Sequence, residues 1–181
     1  MISFRDFSKM YANNDGTRTL VESIAIPEVI AAATDWLGVC KSGVLIGGNA
    51  ISYHGVPRAT MDIDILFKLE SDIPDAVNGF ERTRAGAFQH NKTHVEVEVI
   101  TPKSVNISPA LVDKVFATSM VVKGVRIASV SGLVALKLQR LKNHDIGDIV
   151  SMIKTGKVDL TGFPLSQKNL SDFKRIAKEY V

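Results

Sequence analysis

The hydrophobic pattern of the chain switches repeatedly between strand-like and helix-like spacing. Val44-Leu45-Ile46 is a short, wholly apolar run, as expected of a buried strand, and Gly47-Gly48 follows at once. From Met61 to Phe67 apolar and acidic residues alternate. That run predicts a strand with Asp62 and Asp64 on one face and Ile63 and Ile65 on the other. Residues 87–90 and 93–101 predict a hairpin around Asn91-Lys92, with His94, Glu96 and Glu98 sharing a face. A second hairpin turns at Lys123-Gly124. Helical spacing begins at Pro27 and closes at Gly43. It returns briefly from Asn49 to Tyr53, where Gly55-Val56-Pro57 breaks it. A helical turn is expected near Pro74 to Phe80, and a short helix around Ser108 to Phe116. Ser131 is placed as the cap of a helix carrying Leu133 to Leu141. A further helix is expected from about Asp145 to Lys154, ending at Gly156, and another over Ser166 to Val181.

This order predicts an α/β (α+β) protein, a mixed sheet flanked by helices with a helical C-terminal end. Residues 1–25 read as a lead-in with one short helix and a turn at Asn13-Asn14-Asp15-Gly16. Residues 26–130 form the expected core, and residues 131–181 a helical segment packed on it. The length of 181 residues suits one domain, or one domain with a short helical appendage, with its own hydrophobic core. Apolar content of 45% against 23% charged argues for a folded chain rather than a disordered one. The single cysteine, Cys40, excludes a disulfide framework and a cysteine zinc site; it reads as a small buried side chain in a reducing cytoplasm. The run MISFRDFSKM has no apolar stretch behind its charges, so it is not expected to act as a secretory signal. The most apolar stretch, Ile24 to Cys40, is interrupted by Pro27, Glu28 and Asp35, so no membrane span is expected. The net charge of +3 is compatible with a nucleotide or nucleic-acid partner without requiring one.

Between Leu45 and Phe67 the residues have a shared chemical use. Gly-Gly after a strand lets backbone N–H groups approach an anion closely, and a following helix start adds unpaired donors. Together these can cradle a triphosphate. Asp62 and Asp64 place hard oxygen ligands side by side, which suits Mg²⁺, with Mn²⁺ as an alternative ion. A third carboxylate from a neighbouring strand, Glu98 or Glu96, would complete a two-ion clamp for in-line displacement.

The run LIGGNAISYHGVPRATMDIDILF resembles the signature of the nucleotidyltransferase fold shared with DNA polymerase beta. More narrowly it is similar to the AbiEii-type branch, which includes toxin components of toxin–antitoxin and phage-defence systems. Gly47, Gly48, Ala50, His54, Gly55, Arg58, Thr60, Asp62, Ile63 and Asp64 match in register. The strand Val97-Glu98-Val99-Ile100-Thr101-Pro102 resembles a later motif and favours Glu98 over Glu96, although Asp is commoner there. Lys137, Arg140, Lys142, Asp145 and Asp148 fall where the branch has basic and acidic helical residues. The resemblance covers about residues 40 to 156.

It implies a Mg²⁺-dependent enzyme that moves a nucleoside monophosphate from an NTP to an acceptor hydroxyl. The acceptor would be an RNA 3′ end, a protein side chain or a small molecule, and an antitoxin is a candidate partner. Asp62, Asp64 and Glu98 would be the catalytic, metal-holding carboxylates. Gly47, Gly48, Asn49, Arg58 and Lys137 would bind the nucleotide, with Thr60, Glu96, Arg140 and Asp145 as secondary candidates. Each has a blander reading as well. Asp62 and Asp64 suit a solvated strand face, and Arg58 suits an ion pair with either of them. Thr60 suits loop ordering. His54 suits packing or capping, and Lys137 and Arg140 suit a solvated helix face. Asp145 and Asp148 suit capping and pairing with Arg140 or Lys142. The competing function is a non-catalytic module of the same fold, since fold does not imply function. A sugar-nucleotide transferase would need an Asp-x-Asp too, but would not account for the upstream glycines.

Overall fold

The computed structural model describes residues 42–180 except 59, 85 and 123, together with Ala32, Ala33, Asp35 and Trp36. The expected lead-in, most of the helix from Pro27, Cys40 and Lys123 lie outside the described residues.

Among the described residues, seven strands form one mixed sheet: β1 (Val44–Ile46), β2 (Asp62–Leu66), β3 (Phe80–Arg84), β4 (Ala87–His90), β5 (Glu96–Ile100), β6 (Met120–Val122) and β7 (Val125–Ile127), in the order β3-β4-β5-β2-β1-β7-β6. Among the described residues five helices accompany them: α1 (Gly47–Tyr53), α2 (Pro109–Thr118), α3 (Val130–Arg140), α4 (Asn143–Ile153) and α5 (Gln167–Tyr180). The predicted α/β class, with helices at the C-terminal end, is the one observed.

β1 is buried along its whole length, which explains its unbroken apolar sequence. It pairs antiparallel with β2 and parallel with β7, while β2 pairs parallel with β5. The alternation in β2 and β5 sends Ile63, Ile65, Val97 and Val99 into the core. Trp36 packs edge-on against Phe80 and Phe88, with ring centroids 5.1 and 4.8 Å apart. Because β1 and β2 run antiparallel, Ile46 lies opposite Asp64. The acidic start of β2 therefore meets the point where β1 turns into α1.

Two expectations need correction. No helix forms at Pro74 to Phe80. Gly79 takes φ +86° in a turn closed by the Phe80 N–H donating to the Val77 carbonyl at 3.0 Å, and strand β3 starts there; the only helical turn nearby is a 3₁₀ turn at Glu70–Asp72. The cap of α3 is Ser129, whose hydroxyl accepts from the Gly132 N–H at 3.1 Å. Ser131 lies inside α3, and its hydroxyl accepts instead from the Asp159 N–H at 2.8 Å. Both serines satisfy the cap pattern in sequence, and only the path of the segment around Asp159 separates them.

Candidate active site

The site grows from the junction of β1 and α1. Gly47 adopts φ +65°, a conformation that side chains disfavour, and a Cβ there would overlap the Asp64 carboxylate. A Cβ on Gly48 would lie 2.7 Å from the Cβ of Thr60. The two glycines thus let the turn lie directly against the start of β2. The buried Asn49 side chain donates to the Asp62 carbonyl at 2.7 Å and fixes that approach. The loop between α1 and β2 is held from several sides. Ser52 Oγ donates to the Arg58 carbonyl at 2.9 Å, and Gly55 turns the chain at φ +85°. His54 Nε2 donates to the Ala128 carbonyl at 2.7 Å, and burial pushes its pKa down. His54 is therefore a packed, structural histidine. Thr60 Oγ1 donates to Asp62 Oδ1 at 2.5 Å, so Thr60 aims a carboxylate as well as ordering the loop.

In the parallel β2–β5 pair, Asp64 lies opposite Glu98 and Asp62 opposite Glu96. These four acids share one sheet face. Asp62, Asp64 and Glu98 line a cleft of about 290 Å³ that Gly47, Gly48, Arg58, Thr60, Lys137 and Arg140 also border. Glu96 does not reach it, and Arg84 Nη2 donates to Glu96 Oε1 at 2.6 Å instead. Asp64 is pushed up to about 7, first by loss of water and then by the charges of Asp62 and Glu98; Arg140 and Lys137 offset this only in part.

The other wall comes from α3 and α4. Lys137 is buried, and its Nζ lies 2.9 Å from Asp145 Oδ1 and 2.7 Å from Asp148 Oδ2. Arg140 grips Asp145 with two bonds, Nε to Oδ2 and Nη2 to Oδ1, both 2.9 Å. The Lys142 N–H adds a third donor to Asp145 at 2.9 Å. Burial favours the neutral acid at Asp145, but the hydrogen bonds from Arg140 and Lys137 prevail and hold it at about 2. Asp148 Oδ1 lies 3.0 Å from Arg58 Nε, so Asp148 ties Lys137 to Arg58 across the cleft. Arg58 thus has Asp148 as an ion-pair partner. The local signal was the acid spacing on α4, but the link back to Arg58 joins residues 90 positions apart and is not visible in sequence.

A family model described as a nucleotidyltransferase of unknown function, DUF6036, matches residues 28–166. The chain belongs to this nucleotidyltransferase family. No curated protein matches it. The match establishes the broad enzyme class and does not single out the AbiEii-type branch. Among the described residues, no helix is long and apolar enough to cross a membrane.

For this nucleotidyltransferase, the donor set suits a hard divalent cation. Asp62, Asp64 and Glu98 border one cleft, and Asp64 is disfavoured as an anion by burial and then by its acidic neighbours, a penalty that a bound cation would offset. Among the described residues they do not close into a ready cage of three ligands. His144, together with Val105, Ile107, Leu133 and Leu136, also borders the cleft. His144, Val105 and Ile107 had no motif to mark them, and the fold brings them there.

Proposed function

We propose that this nucleotidyltransferase moves a nucleoside monophosphate from an NTP to an acceptor hydroxyl, with Mg²⁺ as the metal and Mn²⁺ as a substitute. The observation that carries this reading is the facing of Asp62, Asp64 and Glu98 on β2 and β5 toward Lys137, Arg140 and Arg58 across one cleft. Asp62, Asp64 and Glu98 would hold the metal. When bound, the metal would lower the acceptor hydroxyl pKa and offset charge at the α-phosphate. Glu98 would take the acceptor proton as the hydroxyl oxygen bonds to the α-phosphorus. The bond from that phosphorus to the bridging oxygen would break, and pyrophosphate would leave. Gly47, Gly48 and the Asn49 backbone, with Lys137 and Arg58, would position the β- and γ-phosphates. For Lys137 and Arg58 to do so, phosphate must compete with Asp148. Asp145 would keep Lys137 and Arg140 oriented.

The AbiEii-like motif order suggests a toxin of a toxin–antitoxin or phage-defence system as the biological setting. An RNA 3′ end, a protein hydroxyl and a small molecule are the acceptor classes to offer. The competing reading, a non-catalytic module, draws on the engagement of Lys137 and Arg58 by Asp148.

The test supplies Mg²⁺ and each of four α-³²P-labelled NTPs, with total RNA and cell lysate as acceptors and Asp64→Asn as control. Label on RNA, protein or a small molecule, absent with the variant, supports transfer and identifies the acceptor class. No label and no NTP-dependent rise in melting temperature would favour the non-catalytic module.

A further inference from the structure

Half of the cleft is left unused by the chemistry above. The cleft face of α3 is Leu133, Leu136, Lys137 and Arg140, one helix face by spacing. Its cations sit toward the C-terminal end, next to the proposed phosphate site, and its leucines lie about a turn earlier. Ile100 extends the same face of β5 as Glu98, two residues further on. Val105 and Ile107 complete the apolar lining. They are carried by a loop that is folded on itself: the Thr101 N–H donates to Ser104 Oγ at 3.0 Å, the Ser104 N–H to Thr101 Oγ1 at 3.2 Å, and the Ile107 N–H to the Pro102 carbonyl at 2.9 Å. The loop hydroxyls are thereby engaged locally, while the aliphatic Val105 stays 44% exposed at the rim.

We propose that Ile100, Val105, Ile107, Leu133 and Leu136 seat the nucleobase of the NTP by apolar contact, none of these five side chains being able to read the base edge. This rests on the nucleotidyl-transfer reading above. Three points favour the base as occupant. The apolar half is continuous with the cationic half along α3. One helical turn is about 5.4 Å, a step comparable to the ribose between phosphates and base. The five side chains carry no donor or acceptor, so they match a flat ring face rather than a second charged group.

A consequence for specificity follows. A site that hydrogen-bonds its substrate rejects analogues about 10⁴-fold or more, whereas apolar contact separates ligands by about 10- to 200-fold at most. ATP and GTP should therefore bind within about tenfold of each other. Both should exceed CTP and UTP by roughly fivefold, because the larger ring buries more area.

Isothermal titration in Mg²⁺ tests this with ATP, GTP, CTP, UTP and inorganic tripolyphosphate, against the wild type, Val105→Ser and Ile107→Ser. Val105 is at the surface, so its replacement leaves the fold in place. The expected result is weaker binding of all four NTPs to both variants, by about three- to tenfold, with tripolyphosphate unchanged. Preference for a single NTP by more than about a hundredfold would overturn the proposal. So would variants that bind NTPs normally but show a raised acceptor KM, which would assign the ledge to the acceptor. Equal wild-type affinity for ATP and tripolyphosphate would remove the base seat while leaving the phosphate site. Failure of the wild type to bind either would remove the nucleotidyl-transfer reading itself.

Discussion

Asp64 and Asp145 are both aspartates screened from water beside the same cleft, yet they are driven in opposite directions. Asp64 is raised to about 7, since loss of water and the charges of Asp62 and Glu98 act together. Asp145 is held at about 2, since two hydrogen-bonding cations outweigh its burial. Lys137 and Arg140 are within reach of both, but they bond directly to Asp145 and act on Asp64 only through space. The α3–α4 cluster pairs its charges internally. The β2–β5 cluster remains acidic and self-repelling, which is the state that an external cation relieves.

The strongest way to break this contrast is Asp145→Ala. It removes one of the two carboxylates beside buried Lys137, leaving Asp148, and takes away the bidentate grip on Arg140. Stability should fall by about 3–5 kcal/mol in denaturant unfolding. A loss below about 1 kcal/mol would mean that the helix cluster is not structural.

Asp64→Asn should do the reverse. Nucleotidyl transfer should drop by at least about 10²-fold, while the melting temperature stays level or rises because repulsion is relieved. A variant that unfolds would place Asp64 with the structural acids.

Mg²⁺ titration sharpens the same point. At a hundred times its Kd, the ion should stabilise the wild type by about 2.7 kcal/mol. Asp64→Asn should lose most of that gain. Equal stabilisation of both would place the ion elsewhere.

The pH dependence should also separate the clusters. Asp64 has a raised native pKa, so its contribution to stability is present below about 4 and is lost as pH rises toward about 7. Asp145 has a lowered one, so its contribution is present above about 4 and is lost as pH falls toward about 2. Without Mg²⁺, Asp64→Asn should flatten the decline between pH 4 and 7 and leave the acid limb alone. An unchanged decline would assign it to other groups.

The smallest effect belongs to Arg84→Ala. The Arg84–Glu96 pair is exposed and lies off the cleft, so stability should change by about 1 kcal/mol or less and transfer should be unaffected. A large drop in transfer would return Glu96 to the site.

The two glycines, the facing aspartates of β2 and the hairpin bearing Glu98 were readable because each depends on local rules: period-two alternation, turn residues and short spacings. The choice between Glu96 and Glu98 was different. Both lie on one strand face; motif resemblance alone favoured Glu98, and the physical distinction comes from the reach of Arg84 and the position of the cleft. The roles of Ser129 and Ser131 divided for the same kind of reason, since the neighbour of Ser131 is Asp159.

The sequence by itself determined most of the order of strands and helices, though not strand β3, and the pairing of a glycine turn with an acidic strand. These follow from backbone sterics and side-chain alternation within a few residues. Only the tertiary structure decided that Asp148 joins Lys137 to Arg58, that Asp145 is the buried hub of α3 and α4, and that Val105 and Ile107 border the same cleft as Asp64. Those relations depend on distance and on access to water. Both are properties of the packed chain, and neither is encoded in the spacing of residues along it.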